Sequence, residues 1–372
     1  MNIALPEHQI AIMSHMPKKI RFSILLLTAV LASCTTIPEP FGSPPEGARS
    51  MAVFYSRWVG YLERVDSGSF QADCRPRLIE PAASVPYRGT VVLLHAFAAC
   101  PQQFFEWSEL LALQGYRSML VVLPGHGRPF DAQGGEDLHG LPVSRNWQRK
   151  FALLAAEVNG IMAYADGDRV IGGLSAGATA SLYINSQAPE LYDRHILLAP
   201  LFAFNEGAVS ATGVDEPPLT SVDATPVRPR QACLEKREQG RAGYCDYQPK
   251  HSDALSAMGG YTLASLRQAP LAVPLQLIGV EMDPVVSNSK IREFLRIQAN
   301  TGKTSACFFP LGVPHDMISQ YDFPGIEMYW LDSLLNGSVG FITAGRRLPV
   351  IGQESVSEAP HPLCAMETER RD

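Results

Sequence analysis

Residues 169 to 180 read Arg-Val-Ile-Gly-Gly-Leu-Ser-Ala-Gly-Ala-Thr-Ala, and no other stretch constrains the chain as much. The β-branched pair Val170-Ile171 favours a strand. Gly173-Leu174-Ser175-Ala176-Gly177 fits a sharp strand-to-helix turn with a serine at its tip. Side chains at positions 173 or 177 would collide across such a turn. The helix that follows points its N-terminus at the serine, so the Ala176 N–H can face a developing oxyanion. On this stretch alone a glycine-rich turn with no chemistry reads the same way. The rest of the chain decides between them.

Apolar runs flank this turn at regular intervals. Thr90–Leu94 and Ser118–Leu123 precede it; His195–Pro200, Pro274–Val280 and Ala306–Pro310 follow. Continuous apolar runs suit the inner strands of a parallel sheet. Helical spacing recurs between them, over Gln102–Gln114, near Arg145–Tyr164, from the turn to about Ser186, over Ser287–Asn300 and near Gly325–Leu335. A further helix, Met51–Val65, is expected to pack on the domain, and residues 68–88 read as irregular. Alternating strands and helices predict an α/β fold with a mostly parallel, doubly wound sheet. The rhythm breaks over about 201–269, a stretch too long for an ordinary loop, which reads as an inserted cap. Its apolar residues Leu201, Phe202, Phe204, Tyr261 and Leu263 would line an acyl pocket or, for most of them, simply pack.

Ahead of the domain, Lys18, Lys19 and Arg21 precede an apolar run, Phe22–Leu31, too short to span a membrane comfortably. It ends in Leu31-Ala32-Ser33-Cys34, which resembles a bacterial lipobox. The resemblance implies that residues 1–34 are a lipoprotein signal peptide, with cleavage before Cys34 and lipid on its thiol. A plain secretory leader cut near Ser33 is the alternative. Thr35 in place of an aspartate leans toward the outer membrane, facing periplasm or cell surface. Residues 35–50 then read as a flexible tether, 51–346 as the domain and 347–372 as a tail, with Cys364 in it.

Of seven cysteines, six remain if Cys34 carries lipid, enough for three disulfides in an oxidising compartment. Cys233 and Cys245 are the expected pair. Their spacing is not a zinc pattern, and no metal or cofactor is expected. A formal net charge of −6 without long runs of one sign argues against a nucleic-acid partner.

Catalytic groups in open parallel sheets collect at the carboxyl ends of strands. Ser175, Asp283 and His315 each follow a predicted strand, in that chain order. A serine hydroxyl needs an imidazole to take its proton, and a carboxylate to hold the imidazole's tautomer. Of nine histidines, only His315 lies on a loop after the last strand. His95 and His126 precede the turn and read as structural; His195 begins a strand, at the wrong end of the sheet. Glu281 is the alternative acid, and Asp316, beside the histidine, is badly placed to reach its far nitrogen. The oxyanion needs a second N–H besides Ala176, from the loop after Leu94; Phe97 is the choice and Ala96 the fallback.

The motifs Leu94-His95-Ala96-Phe97 through Phe104, Leu123-Pro124-Gly125-His126-Gly127, Gly173–Gly177 and Asp283-Pro284-Val285-Val286 resemble those of bacterial carboxylesterases and monoacylglycerol lipases of the α/β-hydrolase fold. In that family the first motif is usually His-Gly-Phe and the Phe N–H serves the oxyanion, which implies that role for Phe97. Ala96 stands in place of the glycine and restricts the backbone there. The resemblance spans roughly 88–335 apart from the cap. It implies a serine hydrolase acting on a small-molecule ester, with no cofactor. A thioesterase or amidase of the same fold, or a surface lipoprotein that only binds, are the alternatives. Oligomeric state is not legible.

Overall fold

The computed structural model describes residues 51–65, 70–130, 135–205, 231–309, 313–325 and 327–345. The expected leader with Cys34, the tether and the tail with Cys364 lie outside these. The apolar runs form the inner strands of one seven-stranded sheet. In chain order these are β1 (Arg77–Ile79), β2 (Gly89–Leu94), β3 (Tyr116–Val121), β4 (Asp168–Leu174), β5 (Arg194–Leu198), β6 (Leu275–Val280) and β7 (Thr304–Phe309). Their spatial order is β1-β3-β2-β4-β5-β6-β7. Only β1 runs antiparallel to its neighbour; every other pair is parallel. Each residue of β2, β3 and β6 is buried, as a sheet covered on both faces requires. Full burial of each Val or Leu there stabilises the fold by roughly 1.5–3 kcal/mol.

Helices cover the sheet. They are α1 (Met51–Val65), α2 (Phe105–Leu113), α3 (Trp147–Met162), α4 (Ala176–Ser186), α5 (Gln231–Glu238), α6 (Pro249–Gln268), α7 (Asn288–Gln298) and α8 (Leu331–Ala344). α1, α3, α4, α6 and α7 pack as successive neighbours, and α2 packs on α8. α1 buries Phe54, Trp58 and Tyr61, and the Tyr61 hydroxyl accepts the Val122 N–H at 3.2 Å. Arg117 of β3 lies under α1. It bonds Glu80 at 2.7 Å and stacks on Phe54, Tyr55 and Tyr87, so its buried charge is fully enclosed by partners.

Three segments differ from the sequence reading. The irregular stretch 68–88 contains β1, whose three residues are too few to show an alternating pattern. The expected cap over about 201–269 is divided: its second half is α6, the crossover helix that parallel strands β5 and β6 need. Pro249 and the pair Gly259-Gly260 read as breakers, yet Pro249 starts the helix. A Cβ at Gly259 would sit 2.2 Å from the Phe202 carbonyl oxygen, so glycine is what lets α6 close on the chain after β5. The last helix runs from Leu331 to Ala344 rather than ending near Leu335: Gly337 and Gly340 sit inside it, and it stops at Gly345, whose φ is 64°. Leu201, Phe202 and Leu263 are core residues, Phe204 bridges to Val286, and Tyr261 joins Trp147 and Tyr183 in an aromatic cluster; all are packing. Among the described residues no helix is long and apolar enough to cross a membrane.

Candidate active site

The carboxyl edge of β2, β4, β5 and β6 concentrates backbone strain. The non-glycine residues with positive φ among the described residues are Ala98 (63°), Ser175 (57°), Ala199 (38°) and Met282 (54°). Each lies just beyond the end of one of these four strands. Such conformations cost of order 1–3 kcal/mol apiece and persist only where surrounding structure enforces them. Here hydrogen bonds do so: Ser175 N–H to Leu198 O at 2.8 Å, Leu201 N–H to Ser175 O at 3.1 Å and Ala199 N–H to Ile278 O at 2.7 Å.

Ser175 sits between β4 and α4, and both flanking glycines are needed. A Cβ at Gly173 would lie 2.4 Å from Leu94 O, and one at Gly177 2.0 Å from the same atom. The turn thus presses against the end of β2, which brings the loop after Leu94 beside the serine. Ala176 is the first residue of α4, where the backbone N–H has no intrahelical acceptor.

That loop accounts for its N–H groups one by one. Ala96 N–H donates to the Gln103 side chain at 2.9 Å, Ala98 N–H to His126 Nε2 at 3.4 Å and Ala99 N–H to Ala96 O at 3.2 Å. Phe97 N–H is left without an acceptor among the described residues. This separates Phe97 from its fallback, since Ala96 is already committed. The positive φ falls on Ala98 rather than Ala96, so alanine in place of the family's glycine strains nothing. The Phe97 ring lies edge-on to His126 and Tyr247, at centroid distances of 5.3 and 5.1 Å.

His95 and His126 are structural. His95 Nε2 accepts the Leu123 N–H at 2.9 Å, so its Nδ1–H donates to Ala96 O at 2.8 Å. Burial holds the His95 pKa well below the ordinary value and pulls His126 down to about 4. His195 is buried near the start of β5, its pKa pulled down to about 3 by burial, and both ring nitrogens lack a partner among the described residues.

Asp283 and His315 meet. His315 Nδ1–H donates to Asp283 Oδ2 at 2.8 Å, and Asp283 Oδ1 accepts the N–H groups of Val285 at 2.8 Å and Val286 at 3.0 Å. Both side chains are buried. Glu281, the alternative acid, instead donates its backbone N–H to Phe309 O. Burial pulls the His315 pKa down, but the hydrogen bond and charge of Asp283, with Asp316 and Asp322 adding, leave it above the usual 6.5. Ser175 and His315 are both buried, and the Ser175 hydroxyl is not hydrogen-bonded to His315.

Two disulfides bracket the site: Cys233–Cys245, and Cys74–Cys100, which follows the loop directly. Cys307 is disulfide-bonded as well. The Cys74–Cys100 pairing and the contacts of Gln103 and Arg241 with Asp322 have no sequence signal, because the partners are brought together only by the fold.

The sequence model of the alpha/beta hydrolase family matches residues 91–316. No curated protein matches the chain. Among solved structures, the monoacylglycerol lipase of Paleococcus ferrophilus is similar at 14% identity and TM-score 0.51, over 73% of this chain and 99% of that one. A soluble variant of monoglyceride lipase from Saccharomyces cerevisiae aligns at 13% identity and TM-score 0.49, over 72% and 89%. A thermostable carboxyl esterase from Bacillus coagulans aligns at 14% and 0.47, over 71% and 92%. At such identities the likeness is one of fold.

Proposed function

The chain belongs to the alpha/beta hydrolase family, and we propose that it is a serine hydrolase cleaving carboxylic esters of short to medium acyl chains, acyl glycerols among them. The observation that carries this reading is the buried Asp283–His315 pair, set on the same sheet edge as the strained Ser175 turn. In the proposed cycle, Ser175 Oγ attacks the ester carbonyl while its proton passes to His315 Nε2. Asp283 stabilises the resulting imidazolium through Nδ1. The N–H groups of Phe97 and Ala176 bind the tetrahedral oxyanion. The intermediate collapses, the C–O bond to the alcohol breaks, and His315 returns the proton to the leaving oxygen. Water, deprotonated by the same histidine, then attacks the acyl-enzyme and frees Ser175 and the acid.

A chain-length series of p-nitrophenyl esters, with a thioester and an amide beside it, tests the reading. Ester turnover is expected to exceed turnover of the matched thioester and amide. On the acid side, kcat/KM is expected to fall with an apparent pKa above 6.5, because only neutral His315 accepts the serine proton. A folded chain inert on every ester would make the fold a binding module. Faster thioester or amide cleavage would reassign the substrate class.

We infer further that Cys34 carries lipid and anchors the chain in the bacterial cell envelope, on the outer membrane. The order of positive charge, apolar run, small residues and cysteine supports this. Palmitate labelling in a bacterial host is expected to mark the chain and to vanish in Cys34→Ala. An unlabelled wild type would leave a plain secretory leader.

A further inference from the structure

Beyond the residues given roles above, Gln103 and Asp322 are both buried. The Gln103 carboxamide is fixed at both ends: Oε1 accepts the Ala96 N–H at 2.9 Å and Nε2 donates to Asp322 Oδ2 at 2.9 Å. An ionised carboxylate only accepts and a backbone N–H only donates, so the amide has one orientation. The other Asp322 oxygen accepts Arg241 Nε at 3.0 Å, and this ion pair is nearly closed to solvent, with side chains 11% and 5% exposed. Arg241 lies on the segment between α5 and α6 that Cys233–Cys245 closes. The same segment docks on the loop after β2. Tyr244 N–H donates to Ala98 O at 2.8 Å, and the Gln102 side chain bonds Gly240 O at 2.9 Å and Ala242 N–H at 2.8 Å. One chain of bonds therefore runs from this segment, through Asp322 and Gln103, to the N–H beside Phe97. A buried ion pair gains little stability over apolar packing, so stability alone does not account for it.

We propose that Asp322 is a positioning residue for the acyl-transfer site: through Gln103 it fixes the loop that presents the Phe97 N–H, and Arg241 fixes Asp322 in turn. The proposal rests on the serine-hydrolase reading. It also gives Asp322 an electrostatic part. The charged groups acting on His315 are Asp283 from the loop after β6, Asp316 beside it and Asp322 on the turn before α8. All three favour the imidazolium against burial, and Arg241 counters Asp322 at close range. The one residue thus holds the oxyanion loop and biases the base.

The test compares Asp322→Asn and Gln103→Leu with wild type in the full chain, using p-nitrophenyl butyrate across the pH range. Misplacing an oxyanion donor by about 1 Å costs on the order of 100-fold in rate, so kcat is expected to fall about 10- to 100-fold in both. KM is expected to stay within about threefold, as for an interaction made only in the transition state. Asp322→Asn alone is expected to move the acid limb of kcat/KM to lower pH, a displacement that a purely structural residue would not cause. Gln103→Leu leaves the Arg241–Asp322 pair intact and stands as the test if Asp322→Asn does not fold. Unchanged kcat in folded Gln103→Leu, an unmoved acid limb in folded Asp322→Asn, or failure of both to fold would overturn the proposal. If wild type itself turns over no ester, the serine-hydrolase reading has failed instead. In that case the His315 titration followed by NMR still reports whether Asp322 acts on it.

Discussion

Ser175→Ala is expected to lower kcat about 10⁴- to 10⁶-fold while leaving the fold intact. The hydroxyl makes no hydrogen bond among the described residues, so its loss leaves no buried partner stranded. The strained φ of 57° is held by backbone bonds to Leu198 and Leu201, which alanine keeps. His315→Ala is expected to cost a similar factor. The double variant should be scarcely worse than either single one, because nucleophile and base act as a unit. What survives should reflect binding and the Phe97 and Ala176 N–H groups alone. Steady-state turnover of p-nitrophenyl butyrate checks the rates and circular dichroism the fold. Single variants that retain a tenth of wild-type kcat would remove these residues from the chemistry.

The second large effect concerns acid stability. His126 and His195 are buried with pKa values pulled to about 4 and about 3. His95 is held well below 6.5. In the unfolded chain each takes a proton near pH 6.5; in the folded chain each stays neutral well below that. The unfolded state therefore binds more protons as pH falls, and stability is lost from about pH 6.5 downward. Each such histidine steepens the loss by about 1.4 kcal/mol per pH unit. His315, raised above 6.5, works in the opposite sense and in a different window: it adds stability as pH falls toward 6.5 and leaves the slope below that unchanged. Urea unfolding at half-unit steps from pH 7.5 to 4.5 measures the slope. His195→Leu is expected to remove one histidine's share with little loss at pH 7.5, because neither ring nitrogen has a partner among the described residues. An unchanged slope in that variant would mean that His195 titrates freely in the native state. Protonating His126 also removes the acceptor of the Ala98 N–H, so the loop beside Ser175 is expected to loosen in the folded chain only as pH approaches about 4.

The strands around Ser175 were legible because parallel strands buried on both faces must read as unbroken apolar runs. Glycines 173 and 177 were legible for a steric reason: either Cβ would meet Leu94 O. The choice of Phe97 over Ala96 rests on the loop's position after Leu94 and on resemblance, since a backbone donor leaves no trace in residue identity. What stayed hidden depends on contacts made by the fold. Helix α6 was masked by Pro249 and Gly259, residues that break helices elsewhere but here start the helix and let it close on Phe202. Cys74 and Cys100 lie 26 residues apart and meet only when the turn before β1 and the loop after β2 come together. Gln103, Asp322 and Arg241 come from three separated segments and carry no motif. Positive φ at Ala98, Ala199 and Met282 cannot be read from side chains that favour other conformations.

The most direct measurement is stoichiometric reaction with a serine-directed phosphonate, located by peptide mass spectrometry. The account predicts one adduct per chain, on Ser175, forming more slowly as pH falls below the His315 pKa and absent in Ser175→Ala. A folded chain that forms no adduct, or forms one on another residue, would contradict it.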